Sequence, residues 1–261
     1  MSTENKSAPA TRREIPKRTE TLRLESRRAG ESKDVLCARW GWWGTPVLVF
    51  PTAGGDGEEI ERMKMIVALR PLIEAGRIKV FSCDSVGGQA LTKKDRTTAS
   101  FARAQDIFDQ FVYETFVPWI RKDCESPSIE IITAGSSIGA FNAAAAICRH
   151  PDVFSKAIAM SGTFDLTKWL EPPYPQDFYF SSPIHFMPNL PESAQLTALR
   201  KRMIVLPTGS GPYEDPAQSW RLAKILGSKN VPNRVDDWGD KYDHSWPTWR
   251  EMLPKYLAEL A

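Results

Sequence analysis

The chain has 261 residues, 42% of them hydrophobic and 25% charged, a length and balance that suit one globular α/β domain with a sizeable core. No apolar run approaches the roughly 20 residues that a membrane-spanning helix needs, and the formal net charge is only +2. Residues 1–28 hold eight Lys/Arg against four Glu, so that stretch carries +4 and the remainder −2, which argues against a broad basic surface for nucleic acid and leaves a short solvated arm.

Residues 1–18 are polar and rich in Ser, Thr, Pro and charge, and read as a disordered leader ahead of a domain spanning 19–261. The leader lacks the apolar centre of a secretory signal, so a cytoplasmic location is expected. Thr21–Ser26 and Asp34–Trp40 read as two strands separated by the turn signal Ala29-Gly30. Pro46–Phe50 (PVLVF) is a buried strand that runs into the sharp loop Pro51-Thr52-Ala53-Gly54-Gly55, and a helical stretch follows around Glu58–Glu74. Ile78–Cys83 is the next strand. In Phe101–Arg121 the apolar positions fall three and four apart, marking one buried helix face, with Pro118 kinking the final turn.

Ile129–Thr133 is again strand-like and leads through Ala134–Ala140 into an alanine-rich helix ending near His150-Pro151. The remaining strands are Lys156–Ser161, Met203–Leu206 and Asn233–Trp238, with helices at Ala217–Leu226 and from about Pro247. This alternation predicts a mostly parallel central sheet with helices on both faces. The excursion at about 163–200 is rich in Pro and aromatics and too long for a plain connection, so it is expected to form the wall or lid of a pocket. Cys37, Cys83, Cys124 and Cys148 are scattered without paired spacing, as reduced thiols are; neither metal nor cofactor is implied.

Gly135-Ser136-Ser137-Ile138-Gly139 is a G-x-S-x-G pattern between a predicted strand and a predicted helix, the context of a nucleophile elbow in an α/β-hydrolase fold. Ser137 at a helix N-terminus faces unpaired backbone N–H groups able to stabilise an oxyanion. The amide of Ile138 is one expected donor; the second comes from the Pro51–Gly55 loop, with Ala53 favoured and Thr52 or Gly54 as neighbours. Among three histidines, His244 lies after the last strand and before the final helix, at the sheet edge that carries the elbow, and is the expected base. The acid should precede it, after strand Met203–Leu206, where Glu214 and Asp215 both qualify. Trp40, Trp42, Trp43 and Trp246 are candidates for an acyl pocket or for plain core.

Phe50–Gly55, the Gly135–Gly139 elbow, His150-Pro151-Asp152-Val153-Phe154 leading to Met160-Ser161-Gly162, and Trp238-Gly239 followed by Asp243-His244-Ser245-Trp246-Pro247-Thr248-Trp249 together resemble the "Putative esterase" family, the esterase-D-like group of α/β-hydrolases. The resemblance runs from about Thr21 to the C-terminus. It implies Glu214 as the triad acid, with Asp215 second, while the Pro51-Thr52 loop departs from the Asp-Gly loop of better-studied relatives. The expected activity is a serine esterase acting on a small-molecule ester through an acyl-serine intermediate, with Ser137, His244 and Glu214 as triad. An acyltransferase or thioesterase with the same triad is the alternative, and a non-catalytic binding protein of the same fold a further one. No nucleic-acid or membrane partner is expected, and a homo-oligomer stays open.

Overall fold

Short apolar runs build the centre of an eight-stranded sheet, described here by a computed structural model covering residues 14–25 and 32–261. The strands are β1 (Lys17–Glu25), β2 (Ser32–Trp40), β3 (Thr45–Phe50), β4 (Ile78–Cys83), β5 (Ile131–Ser136), β6 (Phe154–Met160), β7 (Met203–Thr208) and β8 (Asn233–Asp237). Their order is β1-β2-β4-β3-β5-β6-β7-β8. Pairings β1–β2 and β2–β4 are antiparallel and all others parallel. The helices are α1 (Glu59–Arg62), α2 (Met65–Glu74), α3 (Val86–Thr92), α4 (Thr98–Phe111), α5 (Val117–Asp123), α6 (Ile138–Arg149), α7 (Gln176–Ser181), α8 (Pro183–Phe186), α9 (Ala194–Leu199), α10 (Pro216–Ser228) and α11 (Trp246–Leu260). None of the described helices is long and apolar enough to cross a membrane.

Successive residues of a strand point to opposite faces, so strands buried on both sides are apolar throughout. Leu48, Phe50, Phe81 and Ile131 pack with Phe108 of α4, Phe141 of α6 and Leu222 of α10. Val47, Val49, Val80 and Ile132 turn the other way, onto Leu69 and Ile73 of α2 and Met252, Leu253 and Tyr256 of α11. This is the α/β-hydrolase architecture.

Several boundaries differ from the expectation for local physical reasons. The expected leader reached residue 18, but β1 already begins at Lys17, which pairs with Trp40 and reaches the carboxylates of Glu58 and Glu61. Residues 1–13, Ser26 and the Ala29-Gly30 turn lie outside the described residues. The stretch Glu58–Glu74 is two helices, because Lys64 between them is left-handed at φ 63°. The long segment Phe101–Arg121 starts earlier, at a capping box in which Thr97 and Ser100 exchange hydrogen bonds, and opens into wider π-type turns over Val112–Phe116. Pro118 lacks the N–H that would continue the ladder there, and it is tolerated in the first turn of α5. Strand β5 runs on to Ser136 because Ala134, Gly135 and Ser136 pair with Ile158, Ala159 and Met160 of β6.

The antiparallel edge is tied down by a buried ion cluster. Lys79 of β4 is 5% exposed; its Nζ lies 2.6 Å from Asp123 Oδ2 and donates to the Asp123 carbonyl at 2.8 Å. Arg39 of β2 brings its Nε to 3.3 Å from the same oxygen, so two strands grip the end of α5. Removing one partner of such a pair strands a buried charge. Asp123→Ala is expected to cost about 3–5 kcal/mol of unfolding free energy in urea titrations, and the double variant Lys79→Met/Asp123→Leu less. A single variant as stable as the parent would contradict this.

Candidate active site

Strand β5 ends at Ser136 and α6 starts at Ile138, so the whole turn falls on one residue, Ser137, at φ 58° and ψ −118°. A non-glycine residue there is strained by about 1–3 kcal/mol and persists only where its surroundings over-determine it. They do: the Ser137 amide donates to Met160 O at 3.1 Å, and its carbonyl accepts from Ala140, Phe141 and Thr163 at 3.2, 3.3 and 3.3 Å. The flanking glycines are required by contact. A Cβ on Gly135 would lie 2.3 Å from Gly139 O, and one on Gly139 would lie 2.3 Å from Phe50 O and 2.8 Å from Pro51 O. Helix α6 is thereby seated on the carbonyls that close β3.

That seating brings two sets of free amides to one edge. Ile138 is the first residue of α6, and among the described residues its amide meets no acceptor. In the loop after β3, the Thr52 amide is taken by Glu59 Oε2 at 2.8 Å, and the Thr52 hydroxyl donates to Glu59 Oε1 at 2.6 Å. The amides of Ala53 and Gly54 have no acceptor among the described residues. Thr52 is therefore occupied, while Ala53 and Gly54 remain available. Sequence reading missed Glu59, whose clamp on Thr52 links positions seven apart across a loop with no repeating signal.

The loops after β7 and β8 lie against each other: Gly211 N donates to Tyr242 O at 3.0 Å and His244 N to Pro212 O at 3.1 Å. A Cβ on Gly209 or Gly211 would strike Tyr242 O, at 2.0 and 2.7 Å. This union sets His244 Nδ1 3.7 Å from Glu214 Oε2, with the Glu214 side chain only 1% exposed. At that separation the pair faces each other without a closed hydrogen bond. Glu214 Oε1 accepts from Ser161 Oγ at 2.5 Å, and Oε2 from Thr208 Oγ1 at 3.3 Å. Ser161 Oγ accepts in turn from Trp249 Nε1 at 3.0 Å, and the Trp249 ring meets the His244 ring edge-on at 5.1 Å. Asp215 points elsewhere; it is exposed, flanks the start of α10 and accepts from Gln218 Nε2 at 3.2 Å. The structure thus brings Glu214, and not Asp215, to His244.

Ser137 is linked to this cluster through β6, since Met160, which accepts its amide, directly precedes Ser161. Asp243 accepts from the hydroxyls of Ser245 and Thr248, which hold its carboxyl below the usual carboxylate range and pin the histidine loop to α11.

The other histidines have structural partners. His150 Nε2 lies 2.9 Å from Asp109 and its ring stacks on Tyr113, and His185 Nδ1 lies 2.8 Å from Ser182 Oγ while burial pushes its pKa down. All four cysteines are free thiols, and burial pushes them up, Cys148 to about 12, which leaves them poor nucleophiles. Of the candidate pocket aromatics, Trp40 is core and Trp42 and Trp43 sit in the turn entering β3, at the sheet edge opposite Ser137. Trp246 packs against Trp249, beside His244. The excursion is rooted at the elbow by the Thr163–Ser137 hydrogen bond, and Phe164 and Asp165 donate to Gln218 of α10.

A family model described as "Putative esterase" matches residues 86–260. No curated protein matches the chain. Among solved structures, a ferulic acid esterase is similar at TM-score 0.69 and 15% identity, over 94% of this chain and 97% of that one. An S-formylglutathione hydrolase from Agrobacterium tumefaciens is similar at TM-score 0.64 and 12% identity, over 92% and 94%. The S-formylglutathione hydrolase of Staphylococcus aureus follows at TM-score 0.59 and 13% identity, over 95% and 97%. At these identities the structures speak for the fold, and the match over 86–260 for the lineage: the chain belongs to the "Putative esterase" family of α/β-hydrolases and is a carboxylic ester hydrolase.

Proposed function

We propose that this esterase cleaves small carboxylic esters through an acyl-serine intermediate, with Ser137 as nucleophile, His244 as base and Glu214 as acid. The observation that carries the reading is the buried Glu214 carboxylate facing His244 Nδ1, on the sheet edge where the chain also holds Ser137 at a strained elbow. His244 Nε2 takes the Ser137 proton as Oγ attacks the ester carbonyl, and the resulting imidazolium is stabilised by Glu214. The oxyanion is received by the amides of Ile138 and Ala53, which have no other acceptor among the described residues. The imidazolium then protonates the leaving alcohol. Water, deprotonated by the same imidazole, releases the acid and regenerates Ser137. No metal or cofactor enters these steps. The excursion over 163–200, rooted beside the elbow, forms the wall of the acyl pocket.

Labelling with a fluorophosphonate, mapped by mass spectrometry, is expected to modify Ser137 and to depend on His244. Ser137→Ala should fold, because it removes one hydroxyl from an elbow that already accepts only small side chains, and lose about 10⁴-fold or more in kcat on a p-nitrophenyl ester; an unchanged rate would remove the assignment. Glu214→Gln should lower kcat about 10²- to 10⁴-fold while Asp215→Asn stays within about twofold. Equal mild effects would place the acid elsewhere. Product analysis with paired oxygen esters, thioesters and added acceptor alcohols separates hydrolysis of either ester from acyl transfer.

A further inference from the structure

Met160-Ser161-Gly162 and Trp249 both carry the family resemblance, yet the proposed triad gives neither a task. Resting on that triad, we infer that Ser161 and Trp249 are positioning residues that divide the two oxygens of Glu214, holding Oε1 so that Oε2 is presented to His244. The direction of the relay follows from donor chemistry. An indole N–H can only donate, so the 3.0 Å contact from Trp249 Nε1 makes Ser161 Oγ an acceptor there. The single hydroxyl proton of Ser161 is then directed along the 2.5 Å contact to Glu214 Oε1. Thr208, the other hydroxyl at the carboxylate, is divided between Gly209 O at 3.0 Å and Glu214 Oε2 at 3.3 Å. Ser161 is therefore the committed donor, and without it a carboxylate that is 1% exposed would lose its strongest hydrogen bond.

The backbone points the same way. Ser161, like Ser137, is a non-glycine residue at positive φ, 47°, and its amide is fixed by Pro207 O at 2.8 Å. A strained serine at the carboxyl end of β6, followed by a glycine able to adopt that conformation freely, is a position where the hydroxyl matters more than the turn. Trp249 acts on both members of the pair, through Ser161 on the acid and by its ring edge on the imidazole. It sits one turn inside α11, so the helix that covers one sheet face also holds the Glu214–His244 geometry.

The test uses Ser161→Gly, which removes the hydroxyl and relieves the positive φ, Trp249→Phe, which removes only the N–H side of the ring system, and the double variant. Parent protein reacting with a fluorophosphonate at Ser137 secures the triad first; absence of that reaction sinks the triad itself, a failure distinct from the one sought here. With labelling secured, Ser161→Gly should keep its melting temperature and KM while kcat falls about tenfold or more. Trp249→Phe should show a smaller loss of the same kind, and the double variant should be no slower than Ser161→Gly, because both act through one hydrogen-bonded chain. Parental kcat in Ser161→Gly, a loss confined to KM, or losses that multiply in the double variant would overturn the inference. Ser161→Gly decides the matter on its own should the tryptophan variant fail to fold.

Discussion

The site depends on one close approach, that of the first turn of α6 to the carbonyls of Phe50 and Pro51. With 2.3 Å between a hypothetical Gly139 Cβ and Phe50 O, no side chain fits between helix and strand end. Because none is present, the N-terminus of α6 packs directly against the start of the loop after β3, and these two segments carry the amides of Ile138 and Ala53 that have no acceptor among the described residues. Gly88 of α3 also lies close against this loop, where a Cβ would come within 2.6 Å of Ala53 O, and Glu59 holds Thr52. The oxyanion-binding surface proposed above is thus a packing result, fixed before any substrate arrives, which is the condition under which oriented dipoles help a reaction most.

On the other side of the elbow the determinants are polar and gathered from far apart. Thr208, Ser161, Glu214, His244 and Trp249 come from four separate loops or element ends, brought together because parallel strands deliver all their carboxyl ends to one edge. Backbone bonds between the loops after β7 and β8, from Ser210 to Gly239, Gly211 to Tyr242 and His244 to Pro212, set how near Glu214 and His244 can come, and the absence of Cβ atoms at Gly209 and Gly211 leaves room for this approach. Each half of the site therefore rests on glycines that serve proximity of backbone to backbone.

Much of this was legible in the sequence, and the exceptions share a cause. Apolar runs such as Pro46–Phe50 and Ile78–Cys83 reveal central strands because both faces are buried, and the elbow reveals itself because the turn tolerates only small neighbours. His244 follows from its place after the last strand. β1 was less legible: its edge strand is largely charged and exposed, so Lys17 and Arg18 look like leader. The break at Lys64 carries no glycine or proline to announce it. Residue chemistry left Glu214 and Asp215 equivalent and only the family resemblance favoured Glu214, since the three-dimensional course of the loop decides which carboxyl turns inward. Ser161, Thr208, Glu59 and the indole of Trp249 were silent because a hydrogen bond between residues tens of positions apart leaves no period in the chain.

The left-handed conformation of Ser137 also sets a limit on what selection for robustness alone would produce. Glycine at that position would adopt the same φ without steric cost, so the folded state carries a deficit relative to its own glycine substitute. Such a deficit is sustained only by a benefit other than folding. With Ser137 as the proposed nucleophile, a screen that rewards thermal endurance and ignores turnover would drift towards an inert protein at this residue, making heat resistance and chemical competence opposing pressures on the same peptide unit.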